Sequence, residues 1–192
     1  MKKSIPVCNH FCPQTLFVYG TYKEDGTPNF GLFCWFSYYL DKEMGVMACI
    51  GGEKLTKDRI HAAKVFSANL VTEEILPIAD YFGNIEGYNE DKMKVDVEFE
   101  RGRVLNVPIL SKSPWVYELE VDRSVVFDEG EVFFCKIRNV LVDDYVSDES
   151  LSIERRMNII RPVQSIRQTY FRWDGTMASA WGEPMKAIME NK

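Results

Sequence analysis

The sequence predicts a mainly β protein, a β-barrel into which a few short helices are inserted. Segments rich in β-branched and aromatic residues recur along the chain between turn residues. The segment WVYELEVDR alternates apolar and acidic residues with the period of a half-buried antiparallel strand. The helical patterns are short and do not alternate regularly with strands, so a doubly wound parallel sheet is not favoured.

Composition predicts one folded domain over residues 1–192 and excludes several classes of protein. Hydrophobic residues make up 46% and charged residues 27%, as in globular proteins. The net charge of −6 and the lack of a basic stripe argue against a nucleic-acid partner. No apolar stretch resembles a signal peptide or is long enough to span a bilayer, so we expect a soluble, cytoplasmic protein without a membrane partner.

The first third of the chain predicts a hairpin followed by a third strand. Residues 15–21 (TLFVYGT) and residues 29–40 (NFGLFCWFSYYL) are dense in β-formers, and Asp25-Gly26 between them is a hairpin turn signal. Residues 44–50 (MGVMACI) form the third apolar strand. This strand runs directly into the pair Gly51-Gly52.

Helical spacing of apolar residues predicts a helix over residues 56–66, with Thr56 at the N-cap. A short strand over residues 66–71 follows. A second short helix within residues 72–83 begins with Thr72 as its cap.

The second half of the chain is predicted to be largely β. The expected elements are a strand over 115–123, a turn within 127–131, a strand over 132–144 with a bulge at Asn139, a polar helix over 149–159 and a last strand over 161–173.

Residues 51–60 (GGEKLTKDRI) have the features of an anion-binding site. A strand ends, glycines allow the chain to turn, and a helix N-terminus presents unpaired N–H groups. Lys54 offers a charge and Thr56 a hydroxyl to a phosphate monoester. The order of residues differs from that of a nucleoside triphosphate loop. The alternative is that Thr56 only caps its helix and that Lys54 and Lys57 are solvated.

Three residues elsewhere in the sequence favour the phosphate interpretation. Asn29 and Trp35 lie on the predicted second strand, and Lys92 follows a glycine-rich turn. An amide, a large ring, an anion loop and a second cation are together suited to a planar ring system that bears a phosphate.

The cysteines and histidines predict no hydrolase and no metal site. The five cysteines are an odd number and lie mostly in apolar segments, as expected for reduced thiols. Cys8, His10 and Cys12 alternate but lack a fourth ligand nearby, so we expect a partly buried N-terminal strand there rather than a zinc site. His61 is the only other histidine, and no nucleophile elbow is present.

Several segments, in their order and spacing, resemble one known family over most of the chain. They include PQTLFVYGTYKEDGTPNFGLFCWFS, MACIGGEKLTKDRIHAAKVFSANL, YFGNIEGYNEDKMK and GEVFFCKIRNVLVDD. The sequence is similar to the flavin reductase-like FMN-binding split-barrel family, and within it to the flavoredoxins. The resemblance implies an FMN-binding split β-barrel and a homodimer that holds FMN at its interface.

The resemblance also implies which residues contact FMN. Asn29 and Trp35 would touch the flavin, and Thr56 with Lys54 would bind the phosphate. The remaining implied contacts are a further one from Lys92, backbone contacts along the ring edge from Cys49, Ile50 and Gly51, and a contact from Tyr170 near the C-terminal strand.

The expected function is electron transfer through FMN, with NADH, NADPH or a redox protein as the partner. The flavin performs this chemistry, so no catalytic acid or base is required of the protein. One alternative is a flavin carrier or sensor without turnover. Others are a split barrel with a different cofactor, as in oxidases of pyridoxamine phosphate, and a barrel that binds only another protein.

Overall fold

The structure is a computed structural model that describes residues 1–180 and 184–185. Its strands are β1 (Gln14–Thr15), β2 (Phe17–Tyr22), β3 (Pro28–Phe33), β4 (Phe36–Leu40), β5 (Met44–Gly51), β6 (Val65–Leu70), β7 (Phe99–Arg101), β8 (Pro108–Leu110), β9 (Trp115–Phe127), β10 (Gly130–Val142), β11 (Val163–Ile166) and β12 (Thr169–Arg172). Its helices are α1 (Leu55–Ala63), α2 (Leu76–Asn84), α3 (Asp144–Ser147) and α4 (Ile153–Ile160).

A seven-stranded antiparallel sheet dominates the fold and confirms the mainly β prediction. Its strand order is β3-β2-β6-β9-β10-β5-β4. The long hairpin β9–β10 holds its centre, and β5 pairs with β10 in a register that sets Gly51 opposite Gly130. Two smaller sheets, β1-β11-β12 and β7-β8, complete the β structure of the described residues.

Strand β2 is buried on both faces and separates two hydrophobic clusters. Phe17 and Tyr19 belong to the cluster enclosed by the large sheet, whereas Val18 packs with Phe30 and Phe82 in a second cluster between the hairpin and α2. Successive side chains of a strand point to opposite faces, so a strand between two cores reads as a continuous apolar run. This packing holds α2 against the outer face of β3.

The predicted bulge at Asn139 is confirmed. Ile137 pairs with Leu119, but the next pair is Asn139 with Glu118, which leaves Arg138 as the extra residue. The carboxylate of Glu118 accepts hydrogen bonds from the Asn139 side chain and from the backbone N–H groups of residues 103, 104 and 105. One buried carboxylate therefore fixes both the bulge and the loop between β7 and β8.

Two predicted helix starts are wrong. Helix α1 begins at Leu55 with Lys54 as its N-cap, so Thr56 lies within the first turn. Helix α2 begins after Ile75, with a proline in its first turn as helices favour, and Thr72 instead forms an isolated β-bridge with Pro162. A threonine near the start of a predicted helix can occupy the N-cap or a neighbouring position, so its presence does not fix the first residue of the helix.

The second predicted strand is divided in the structure. Residues 29–40 form β3 and β4, which are separated at Cys34 and Trp35. The break lets β3 pair with β2 while β4 pairs with β5 at the far edge of the same sheet. A continuous aromatic run in the sequence contains no signal for this change of partner.

Several further elements differ from the sequence-based predictions. The C-terminal end of α1 comes at Ala63, because Lys64 adopts a left-handed conformation. The polar helix predicted over 149–159 is α4, which begins after the capping residue Ser152. The last predicted strand is the hairpin β11–β12, whose turn includes Arg167 at φ 59°. Strands β7 and β8, at three residues each, are too short to show a period.

The predicted N-terminal strand over Cys8 to Cys12 is wrong. Cys8, His10 and Cys12 are exposed, and the first strand begins only at Gln14. All five cysteines are free. Within the described residues, no helix is both long enough and apolar enough to cross a membrane.

Candidate functional site

The junction between β5 and α1 presents an uncapped helix N-terminus. Gly52 turns the chain with φ 65°, a value that glycine adopts without strain. The backbone carbonyl of Lys54 accepts from the N–H groups of Lys57 and Asp58, but no side chain caps the helix. The N–H groups of the first turn and the positive end of the helix dipole are therefore suited to an anion.

A buried amide lies directly beside this helix. Asn29 of β3 is 0% exposed and pairs in register with Thr21 of β2. Its Nδ2 donates to the hydroxyls of Thr21 (3.1 Å) and Thr56 (3.0 Å), whereas Oδ1 has no hydrogen-bond partner. A buried polar atom without a partner costs roughly 1–3 kcal/mol. The amide therefore ties the first hairpin to α1 and leaves one acceptor unsatisfied.

Lys92 places a buried ammonium group near the same point. Its Nζ donates to the carbonyl of Phe82 (2.9 Å), and it takes part in none of the ion pairs found among the described residues. Burial, followed by the like charges of Lys54 and Lys23, lowers the pKa of Lys92 to about 8. Lys54 and Lys23 therefore lie close enough to Lys92 for their charges to act on it, and Lys92 itself has no carboxylate partner among the described residues.

Gly87 allows the segment that contains Lys92 to approach α1. A Cβ atom at Gly87 would lie 2.7 Å from the Leu55 Cβ and 3.1 Å from Asn29 Oδ1. Any larger residue would push this segment away from the start of the helix. The close approach at Gly87 therefore brings the segment that precedes Lys92 against Asn29 and the start of α1.

A second group of predicted residues lies where β4 and β5 meet. The Trp35 carbonyl accepts from the Cys49 N–H (2.9 Å), and a Cβ at Gly51 would lie 4.0 Å from the indole. Trp35 is 50% exposed, whereas the side chain of Ile50 is fully buried, so only the Ile50 backbone can face a ligand. Burial raises the pKa of the half-buried Cys49 thiol.

Tyr170 lies apart from these two groups. It is on β12, and its hydroxyl donates to Asp80 of α2 at 2.5 Å. Burial, and then this hydrogen bond, raise the pKa of Tyr170 to about 12. The ring lines a cavity together with Leu32 and Cys34. These two residues are an odd number of positions from Asn29, so they face the side of the sheet opposite to Asn29.

The sequence analysis missed two features beside the site. Lys23, whose charge acts on Lys92, lies next to the first hairpin turn and belongs to no recognisable motif. Glu131 is buried on β10 opposite Ile50, and its Oε2 lies 2.7 Å from Nε2 of His61. The sequence signal for this contact was Glu131 within an apolar strand, because a buried carboxylate needs a partner.

Comparison with known families decides the relationship of this chain. A family model described as the flavin reductase like domain matches residues 9–161. The chain belongs to the flavin reductase-like family. This membership gives it a flavin-related redox function and a flavin as its cofactor. No curated protein sequence matches the chain significantly.

Solved structures show that the flavin reductase-like chain has a split-barrel fold. The flavoredoxin of Desulfovibrio vulgaris (Miyazaki F) is 22% identical with a TM-score of 0.84, over 96% of this chain and 100% of that one. A flavoredoxin from Methanosarcina acetivorans is 17% identical with a TM-score of 0.82, over 98% and 100%. An FMN-binding protein from Thermus thermophilus is 19% identical with a TM-score of 0.76, over 94% and 97%.

Proposed function

We propose that the protein is an FMN-dependent electron-transfer flavoprotein that works as a homodimer with FMN at the subunit interface. The observation that supports this most strongly is the buried, unpaired Lys92, with Lys54 and Lys23 nearby, beside the uncapped N-terminus of α1. A phosphate monoester would supply a negative charge to this group of cations.

The residues at the junction fit the parts of FMN. The phosphate would bind the first turn of α1 with Lys54, Thr56 and Lys92. Asn29 Oδ1 needs a donor, which a phosphate cannot provide but a hydroxyl of the ribityl chain can. The half-exposed ring of Trp35, beside the backbone of residues 49–51, offers an apolar surface to a planar ring.

When bound, FMN would accept and release the electrons, and the protein would bind and orient it. Trp35 would shield one part of the ring from water, and the cations would set the local charge. We propose NADH, NADPH or a redox protein as the electron partner. We also propose a cytoplasmic location, which accords with the five free cysteines.

The visible absorption spectrum of the purified protein tests the cofactor. We expect a yellow preparation, or a colourless one that binds added FMN tightly. The double variant Lys54→Ala/Thr56→Ala should lose most of this affinity and retain a cooperative unfolding transition. Lys42→Ala, which removes the same charge at the exposed turn between β4 and β5, is the control. Unchanged affinity in the double variant would mean that the phosphate binds elsewhere.

Anaerobic mixing of the FMN-loaded protein with NADH or NADPH tests turnover. Rapid bleaching of the flavin with either nucleotide is expected for a reductase. A flavin that stays oxidised with both, and that is also not reduced by redox proteins, would identify a carrier or sensor instead.

A further inference from the structure

A second cavity lies between α4 and the large sheet, away from the proposed FMN site. It adjoins Phe17, at the start of β2, whereas Thr21 and Asn29 lie towards the opposite end of the β2–β3 hairpin. Its volume is about 370 Å³, within the range of small-molecule sites, roughly 300–1,000 Å³. The lining residues on the helical side are Val146, Ile153, Arg156, Met157 and Ile160.

The sheet side of this cavity is aromatic. Tyr38, Trp115 and Tyr117 line it together with Phe17. The ring centroids of Trp115 and Tyr117 are 5.8 Å apart in an edge-to-face arrangement, and the hydroxyls of Tyr38 and Tyr117 are 2.8 Å apart. These packed rings form a pre-shaped apolar wall, which favours a planar aromatic ligand.

Arg156 adds a positive charge to the lining. Its Nη1 donates to the carbonyl of Val146 (2.9 Å), but its buried Nε has no hydrogen-bond partner. Arg156 also belongs to no ion pair among the residues that the structure describes. Hydrogen bonds from Ser150, and then the charge of Arg156, lower the pKa of Asp148. The Oδ1 atom of this carboxylate accepts its hydrogen bonds from Ser150 and not from Arg156.

The guanidinium of Arg156 indicates what the ligand must supply. Arg156 lines the cavity and belongs to no ion pair among the described residues, and guanidinium groups bind carboxylates through charge-assisted hydrogen bonds. A neutral aromatic molecule would leave this charge without a partner. We propose that the cavity binds a small aromatic carboxylate, whose ring packs among Tyr38, Trp115 and Tyr117 and whose carboxylate pairs with Arg156.

Isothermal titration with benzoate tests this second site, on the protein as purified and again with saturating FMN. Benzoate should bind once per chain and with equal affinity in both titrations. Benzamide, which has the same shape without the charge, should bind about tenfold more weakly or worse. Displacement of benzoate by FMN, equal binding of benzamide, or the absence of benzoate binding would each overturn the proposal.

Two matched variants locate the binding. Arg156→Gln should lower benzoate affinity about tenfold or more, whereas Arg155→Gln, on the exposed face of the same helix, should change it less than twofold. Equal effects of the two variants would contradict the assignment.

A third variant guards against an Arg156→Gln protein that does not fold. Met157→Trp fills the cavity and should abolish benzoate binding while FMN binding and the urea midpoint stay close to those of the wild type. Retained benzoate binding in Met157→Trp would place benzoate elsewhere. If instead benzoate never binds and Met157→Trp changes the oligomeric state, the cavity belongs to an interface between two copies and the proposal is wrong.

Discussion

At the scale of single residues, Lys92 is the most informative side chain of the proposed site. It is 3% exposed, donates to one carbonyl and has no carboxylate partner among the described residues. Burial and two nearby lysines lower its pKa to about 8. An isolated buried charge is unfavourable unless an anion joins it. Lys92 therefore gives the site a preference for an anionic ligand.

This preference predicts how FMN affinity depends on pH. Below pH 8 Lys92 is charged in the free protein, and a bound phosphate favours that form. Above pH 8 binding must first return a proton to Lys92, so affinity should fall by up to about tenfold per pH unit. Calorimetric titrations between pH 7 and pH 9.5 measure this slope.

Replacement of Lys92 separates its contribution from other effects of pH. Lys92→Met should weaken FMN binding about tenfold to a hundredfold at pH 7 and flatten the slope above pH 8. Lys94→Met removes an exposed lysine that is paired with Asp91 and should change neither quantity. A slope that persists in Lys92→Met would assign the titration to another group.

Sequence reasoning grouped Asn29, Lys54, Thr56 and Lys92 but did not give their contacts. In the structure Asn29 bonds to Thr56 and Lys54 lies close enough to affect Lys92, while their binding of a phosphate stays a prediction. Lys23 was missed because its closeness to Lys92 depends on how the first hairpin folds over α1. The convergence of side chains from distant segments is a tertiary property that no local pattern encodes.

At the scale of elements, Glu118 of β9 joins two parts of the chain that lie far apart in sequence. Burial alone would raise the pKa of Glu118, but hydrogen bonds from the loop backbone and from Asn139 outweigh it, and the pKa is lowered. The charged carboxylate therefore stabilises the folded state at pH values above its ordinary value of 4.5. This contribution is lost as the pH falls through the lowered folded-state value.

Replacement of Glu118 should destabilise the fold. Glu118→Gln replaces one acceptor with an amide that faces backbone donors, and should cost about 2–4 kcal/mol of unfolding free energy at pH 7. The loss should shrink as the pH falls below 4.5 and through the lowered folded-state pKa, where the wild type also loses its charge. Urea unfolding at pH 7 and at acidic pH measures this, with Glu120→Gln, at the surface pair with Arg138, as the control. Equal destabilisation by both variants would contradict the role of Glu118.

Strands with a clear alternation of apolar and polar residues were predicted well. Boundaries that depend on which strands pair with each other were not. The alternation in β9 and the change of phase at Asn139 were both visible in the sequence and are confirmed. The break between β3 and β4 was not predictable, because it depends on which strand each half pairs with. Similarly, Thr56 was placed at a cap because sequence cannot distinguish an N-cap from the second residue of the helix.

At the scale of the whole molecule, an apolar surface lies beside the proposed flavin strand. Val126 and Phe127, at the tip of β9, are 73% and 58% exposed, and Gly130 pairs with both Phe127 and Gly51. Phe127 shares a face of the sheet with Gly130 and Gly51, and a Cβ at Gly51 would lie 4.0 Å from the half-exposed Trp35, so Phe127 and Trp35 expose apolar surface of the kind that interfaces cover. This placement favours a dimer whose interface lies next to FMN.

Hydrodynamic mass measurement tests the dimer. Light scattering during size exclusion should give twice the chain mass of 22.2 kDa. Phe127→Asp should shift the protein towards the monomer and weaken FMN binding, since a charge would be buried in the interface. Val104→Asp, an exposed apolar residue in the loop between β7 and β8, should leave the mass unchanged. A wild-type monomer that binds FMN fully would contradict an interfacial site.

The fold class followed from sequence, but the order of the strands did not. Alternation and turn signals predict antiparallel β structure from local residues alone. The order β3-β2-β6-β9-β10-β5-β4 depends on pairings between strands that are distant in the chain, such as β6 with β9. The family resemblance supplied the split barrel as an expectation, and the structure then gave the register.

The missing N-cap of α1 implies that a change that stabilises the FMN-free protein can weaken FMN binding. A serine at position 54 would accept a hydrogen bond from the first turn and stabilise the FMN-free protein by about 1 kcal/mol. The same Lys54→Ser change would remove a cation and occupy an N–H group that the phosphate needs. Urea unfolding without FMN and titration with FMN should therefore move in opposite directions. In the proposed complex, the FMN phosphate would therefore take the place of the side-chain N-cap that α1 lacks.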